Sequence, residues 1–329
     1  MPRSVRIHQF GDADVLAIEQ IATPQPGPGE IRLGVRAIGI NRTEITLRSG
    51  RSPVKPALPS PIGFEAAGVV ETIGDDVEGL AVGDHVALVP AYGAARYGLY
   101  GEASLAPARS AVAIPAEVDF VEAAATWAAF GTAWGGLVAV GELKAGQSVL
   151  IGAASSSVGL AAIQIANRLG ARPIALTRSR AKAQALLAHG ATAVVATAEE
   201  DVTAAVKALT EGKGAALAFD PVGGPAFADL TRATAAGGRL VLYGALSAEP
   251  TVIPPFDIFA RDLTVRGLAL TALTRDDAQL AALKAFVSAG LAEGSLRPVV
   301  ARTFPFDQIA DAHRFVEAGE QVGKVVVTV

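Results

Sequence analysis

The chain has 329 residues, 51% of them hydrophobic, enough for about two domains with sizeable cores. Its formal net charge of −4 argues against a nucleic-acid partner, which needs a basic surface. It contains no cysteine, which removes disulfides, thiolate metal sites and cysteine nucleophiles together and fits a reducing compartment. The opening stretch MPRSVRIHQF lacks an apolar signal-peptide core, and no apolar run is long enough to span a bilayer. A cytoplasmic protein with no membrane partner is expected.

Up to about residue 120 the chain is rich in β-branched runs broken by Pro and Gly. These are Val15 to Ile18, Glu30 to Ala37, Ala67 to Ile73, His85 to Pro90 and Ala111 to Ile114. Turn signals at Pro24 to Gly29, Gly74-Asp75 and Gly83-Asp84 separate them, so a mostly antiparallel β domain is predicted. From Phe120 to Val140 the sequence turns alanine-rich and helical, with Asp119 or Thr126 as candidate caps.

Gln147 to Arg180 reads as strand (Val149 to Ile151), small-residue turn (Gly152 to Gly159), helix (Leu160 to Leu169) and strand (Pro173 to Thr177). That is the size of one half of a dinucleotide site. Small residues let the backbone approach a pyrophosphate, and the helix offers its N–H groups and positive end. In the fingerprint window Ala154-Ser155-Ser156-Ser157-Val158-Gly159 only the last glycine is kept, and the serine hydroxyls are candidate phosphate donors. Ser155, Ser156, Ser157, Val158 and Gly159 are therefore candidate cofactor contacts.

Strand–helix alternation continues: helix Ala181 to His189, strand Ala193 to Val195, helix Glu199 to Thr210, and strand Ala215 to Phe219 running into Asp220 to Gly224. A helix over Ala226 to Thr234 follows, Gly237-Gly238 turns the chain into a strand from Arg239 to Gly244, and Leu263 to Leu268 adds another. The repeats imply a parallel sheet with helices on both faces, binding ligands beyond the carboxyl ends of its strands. The tail carries a helix from Asp276 to Gly290, a strand from Val299 to Phe304, a helix from Gln308 to Ala318 capped by Asp307, and a last strand opened by Gly323.

Where an NAD site places an acid, this chain has Thr177-Arg178-Ser179-Arg180-Ala181-Lys182, three bases and no acid. Arg178, Ser179 and Lys182 suit a 2′-phosphate, so NADPH is the expected cofactor. Cations at a helix start oppose its dipole and need some such reason to be there.

Several motifs together resemble the medium-chain dehydrogenase/reductase superfamily, in its zinc-free quinone oxidoreductase branch. They are Gly39 to Glu44 with Arg48 to Gly50; Pro61 to Val70; Val82 to Val86; Gly101-Glu102; Thr132-Ala133; Ser155 to Gly159; Asp220 to Gly224; Ala312 to Arg314; and Gly323-Lys324. The resemblance covers nearly the whole chain. It implies an α/β fold: a Rossmann doubly wound parallel sheet over 122–271, and a GroES-like, mostly antiparallel β domain from 1–121 and 272–329. It further implies a homodimer, an active site in the cleft, and hydride transfer from NADPH to a quinone or α,β-unsaturated carbonyl. Thr132, Tyr243, Gly244 and Lys324 join the expected cofactor contacts. Lys324 may equally be read as a solvated charge at a strand start.

Asn41 and Phe64 stand where zinc-containing relatives have metal ligands, and the four histidines are scattered, so no metal is expected. Without metal, hydrogen bonds must polarise the acceptor, and Asn41 is the candidate catalytic donor; the same amide could instead bond the backbone in a turn. Glu65 is expected to pair with a base such as Arg48, Tyr100 to pack, and Asp220 to end a strand and cap the next turn. Thr46 and Ser52 replace aromatics common in the branch. An enoyl-thioester reductase and a non-catalytic NADPH-binding protein are the alternatives.

Overall fold

Strand β1 (Arg3–Ile7) interleaves polar Ser4 and Arg6 with the fully buried Val5 and Ile7, and pairs antiparallel with β2 (Leu16–Gln20). This is a computed structural model describing residues 1–115 and 117–329. The chain divides into two compact units, Met1–Ala128 with Pro298–Val329, and Ala129–Arg297. The division falls inside helix α4, and the second unit keeps the long helix α11 that the sequence assigns to the tail. Packing explains where α11 goes: Leu283 lies against Gly131, and just past the helix Glu293 pairs with Arg168 and the Arg297 N–H donates to Gln164.

The first unit is organised on β3 (Glu30–Ile40), which leads through Asn41 into α1 (Arg42–Arg48). The short β4 (Ser60–Pro61) pairs with β1. Strand β3 pairs antiparallel with β5 (Ala66–Ile73), and β5 with β6 (His85–Leu88). A one-turn helix α2 (Ala94–Tyr97) precedes β7 (Ala103–Pro107), which also pairs with β3, and β8 (Ala111–Ala113) pairs with β6. Asp119 caps α3 (Phe120–Ala124) by accepting from the Glu122 N–H, and α4 (Trp127–Trp134) continues as a π-helical turn over Gly135–Val140.

The second unit runs β9 (Ser148–Ile151), α5 (Ser157–Arg168), β10 (Arg172–Thr177), α6 (Ala183–Ala188), β11 (Ala193–Ala196), α7 (Val202–Leu209), β12 (Ala215–Asp220), α8 (Phe227–Ala233) and β13 (Thr234–Leu242). Then come α9 (Pro255–Arg261), β14 (Thr264–Gly267), α10 (Leu270–Leu273) and α11 (Asp277–Ala292). All pairings are parallel, in the order β11-β10-β9-β12-β13-β14. The order reverses between β9 and β12, the switch point where a doubly wound sheet binds ligands. Leu150, Ile174, Leu176, Val195, Ala218 and Leu240 fill the core.

The chain then returns to the first unit as β15 (Val300–Pro305), α12 (Ile309–Ala318) and β16 (Lys324–Thr328). Strand β16 pairs parallel with β15 and antiparallel with the end of β3, completing the order β15-β16-β3-β5-β6-β8.

Three local expectations fail for identifiable reasons. Strand β13 begins at Thr234 rather than Arg239; it passes through Gly237 at φ +69°, and its register on β12 shifts between Ala215 and Leu217. Helix α7 starts at Val202, capped by Asp201, because the Glu200 carboxylate turns back to the Ala196 N–H. Asp307 caps nothing; it sits in a short 3-10 turn and pairs with Arg3, and Gln308 stands before α12.

Candidate functional site

In the Ala129–Arg297 unit, β9 ends against β12, with the Gly152 N–H donating to the Phe219 carbonyl at 2.9 Å. A Cβ on Gly152 would overlap Asp220 Oδ1, so glycine is needed for the turn to pass this carboxylate. Ala153 takes φ +45°, a left-handed conformation disfavoured with a Cβ. Ser156 caps α5, its Oγ accepting from the Gly159 N–H at 3.1 Å. The N–H groups of Ser157 and Val158, first in the helix, have no acceptor within it. Helix end and serine hydroxyls together make an anion-binding corner.

The basic turn joins this corner. Lys182 Nζ donates to Ser155 Oγ at 3.3 Å, Arg178 is exposed and Ser179 is half-buried. Arg180 is taken up elsewhere: its guanidinium pairs with Glu200 at 2.9 Å and its N–H donates to Glu199 at 3.3 Å. The sequence shows no acid beside these bases, but the sheet brings two from the end of β11.

Asp220 ends β12, and Oδ2 accepts from the N–H groups of Val222 (3.1 Å) and Gly223 (2.7 Å). It caps the turn as expected, and burial pushes its pKa up against these bonds. Tyr243, next after β13, stacks on Phe219 with ring centroids 4.0 Å apart. Its hydroxyl is buried and meets no partner in hydrogen-bond geometry; burial, then the Asp220 charge, pushes it well up. Gly244 follows it. Thr132 is half-buried in α4.

The Met1–Ala128, Pro298–Val329 unit has a second polar centre. Lys324 Nζ at the start of β16 donates to Glu65 Oε2 (2.5 Å) and Asn41 Oδ1 (2.6 Å). Glu65 Oε1 accepts from the Ala128 N–H at 2.7 Å, so Glu65, not Thr126, serves the start of α4. Asn41 Nδ2 donates to the Gly39 carbonyl (3.1 Å) and to Glu44 Oε1 (3.3 Å). Glu44 and Glu65 are 0% exposed and Lys324 1%. A Cβ on Gly39 would lie 2.7 Å from Glu65 Oε2 and 2.8 Å from Lys324 Cε, so the cluster closes only over a glycine.

This centre corrects two expectations. Glu65 pairs with Lys324; Arg48, two turns along α1, faces α12 instead, with the Glu317 carboxylate at 2.7 Å and the Gly11 carbonyl at 2.8 Å. Lys324 is an interior ion pair rather than a solvated charge. Asn41 does bond the backbone through Gly39, and also links Glu44 to Lys324. Sequence reasoning overlooked Glu44, although Asn41 and Glu44, three apart at a helix start, share one face. Burial raises its pKa to about 7, partly offset by the Lys324 charge. Tyr100 is buried as expected, its hydroxyl 3.1 Å from His313 Nε2; burial lowers His313 to about 3.

Among the described residues no three His, Cys, Asp or Glu side chains are grouped to hold a metal. No helix among them is long and apolar enough to cross a membrane.

The family model described as the alcohol dehydrogenase GroES-like domain matches residues 27–116, and that described as zinc-binding dehydrogenase matches residues 157–288. A quinone oxidoreductase of Pseudomonas aeruginosa is 32% identical over 331 residues, covering 99% of both chains. A solved NAD-dependent alcohol dehydrogenase is 33% identical, with TM-score 0.91 and 99% of each chain covered. The Escherichia coli quinone oxidoreductase complexed with NADPH is 28% identical, with TM-score 0.92, covering 99% of this chain and 100% of that one.

Proposed function

We propose that this chain, which belongs to the medium-chain dehydrogenase/reductase superfamily in its quinone oxidoreductase-like branch, is an NADPH-dependent oxidoreductase that reduces a quinone or α,β-unsaturated carbonyl without a metal. The observation that carries this is the corner at the switch point, where Lys182 reaches Ser155 Oγ at 3.3 Å beside exposed Arg178. A second phosphate on the adenosine ribose would carry the negative charge that both cations suit. Ser156, Ser157, Val158 and Gly159 face the pyrophosphate from the helix end, with Ser179 beside the extra phosphate. Thr132, Tyr243 and Gly244 complete the proposed contacts, the Tyr243 hydroxyl lying beside Ser156 of the same turn.

Lys324 supports a metal-free centre: an ammonium already lies on Glu65 and Asn41, and the cluster offers two carboxylates but no His or Cys. The nicotinamide, when bound, supplies the hydride. Negative charge then grows on the acceptor oxygen, and the chain must offer it a donor. Asn41 has one: its contact to Glu44, at 3.3 Å, is the longest in the cluster, so that Nδ2–H is the one an acceptor oxygen can share or take over. Lys324 on Oδ1 polarises the amide and fixes which atom faces it; we propose this support, besides cofactor binding, as its task. A homodimer is proposed because β14 pairs only with β13 among the described strands, and Phe256 and Phe259 on α9 are 81% and 75% exposed.

Fluorescence titration with NADPH and NADH, followed by NADPH oxidation against quinones, enones and acyl thioesters, tests the assignment. Arg178→Ala and Lys182→Ala should each weaken NADPH about tenfold and leave NADH nearly unchanged. Asn41→Ala should lower turnover about a hundredfold with NADPH affinity kept. A chain that ignores NADPH, or prefers NADH, defeats the cofactor assignment. Tight NADPH with no turnover across the panel points to a binding protein.

A further inference from the structure

The first unit buries two carboxyl groups, Glu44 and Glu65, around a single ammonium, Lys324. Lys324 is committed to Glu65 and Asn41, and Glu65 has the Ala128 N–H besides. Glu44 receives the Asn41 amide, at 3.3 Å, and its own backbone N–H, with the Tyr100 hydroxyl close by, while Oε2 is buried and meets no partner in hydrogen-bond geometry; no cation reaches it directly. An unpaired buried carboxylate is costly, whereas the neutral acid is not. One proton on Glu44 leaves the cluster with one cation and one anion.

We propose that Glu44 is a positioning residue that works as the neutral acid, its proton loosening the hold of Glu44 on the Asn41 N–H so that this N–H can be given over to the acceptor oxygen. A carboxylate there would hold the amide by a charge-assisted bond, roughly twice as strong as a neutral one, and would compete with Glu65 for Lys324. The groups around Glu44 fit this assignment. Lys324 on β16 favours the charged form and Glu65 opposes it, but burial outweighs both and sets the pKa near 7. Tyr100, ahead of β7, feels the Glu44 charge and bonds to its side chain, and its hydroxyl also lies 3.1 Å from His313 Nε2 on α12. Tyr92 lies within reach of the Glu44 charge too. Arg48, on the same helix as Glu44, is turned to Glu317 and so does not neutralise it.

Because Glu44 acts through Asn41, its role rests on the donor assignment above. The experiment is kcat against pH for the wild type and Glu44→Gln, with infrared difference spectra of the protein free of acceptor. Wild-type kcat should fall about tenfold per pH unit above pH 7. Glu44→Gln, fixed as a neutral amide, should remove that limb and leave KM for NADPH unchanged. The protonated-carboxyl stretch should disappear over the same range in the wild type and be absent from Glu44→Gln. A falling limb shared by both proteins, or no carboxyl band assignable to Glu44, overturns the proposal. If Glu44→Gln does not fold, Glu44→Asp, with its shorter acid, must shift both band and limb; an unmoved limb counts against Glu44. If Asn41→Ala keeps full turnover the donor assignment fails, while the infrared band still shows whether Glu44 stores the proton.

Discussion

In the 129–297 unit the turn from Gly152 to Gly159 is shaped by neighbours in sequence and by what they lack, namely side-chain bulk. In the other unit Asn41, Glu44, Glu65 and Lys324 come from separated stretches and are held by what their side chains reach. The turn meets solvent and has unused N–H groups; the cluster is dry and every strong contact in it is spent internally. A phosphate site can be built from backbone because the ligand brings the charge. A site that polarises an uncharged acceptor, the role proposed for this cluster, has to store charge of its own, and storing it in a core requires a matched set.

The largest test of that contrast is Lys324→Met. It strands Glu65 and should cost about 3–5 kcal/mol in urea unfolding, as for other broken buried pairs. Adding Glu65→Leu should cost less than the two single changes summed, because no lone charge remains. A loss under about 1 kcal/mol for Lys324→Met would mean that the cluster is wetter than its burial implies.

Next in size is pH. Glu44 ionises near 7 in the fold against 4.5 when unperturbed, so it binds its proton more tightly when folded. Its contribution is present below pH 4.5 and lost as pH rises to about 7. His313, lowered from 6.5 to about 3, contributes above pH 6.5 and loses that as pH falls. Between 4.5 and 6.5 the two slopes oppose, and stability should be nearly flat. Glu44→Gln should unmask a rise with pH, and His313→Phe a fall, each of about 3 kcal/mol between pH 4.5 and 6.5. Urea midpoints across that range read both.

On the turn side Gly152→Ala forces a methyl onto Asp220 and should cost about 2 kcal/mol. It should also weaken NADPH, by displacing the backbone proposed to face the phosphates. Smallest is Ala153→Gly, which should stabilise by about 0.5 kcal/mol. Relief of the φ +45° conformation slightly exceeds the added freedom of the unfolded chain. Thermal melts resolve both changes, and a neutral Gly152→Ala would remove the case for small residues in this turn.

How much was legible follows the same divide. Turn and parallel sheet could be read because strand, small residues, helix and strand are consecutive, and Asp119 caps α3 by chemistry confined to four residues. Strand β1 escaped notice because Ser4 and Arg6 dilute a short apolar run. Helix α7 was overextended because Glu199 and Glu200, acids suited to a helix start, serve Arg180 and the Ala196 N–H instead. Glu65 and Lys324 lie 259 residues apart, and no local pattern ties them together. Arg48, a nearer base, was the reasonable guess, and only the direction of α1 rules it out.

The first unit is split, with Met1–Ala128 made before and Pro298–Val329 after the whole of the other. On the ribosome the uninterrupted middle unit can finish its sheet first, since domains generally fold as units during synthesis. Meanwhile Ala37 to Ile40, which β16 will cover, present an unpaired apolar strand edge, and Glu44 and Glu65 have no ammonium to meet. The nascent chain therefore spends the translation of residues 129–323 with a sticky edge beside two unshielded acids, a natural point for a holding chaperone to act.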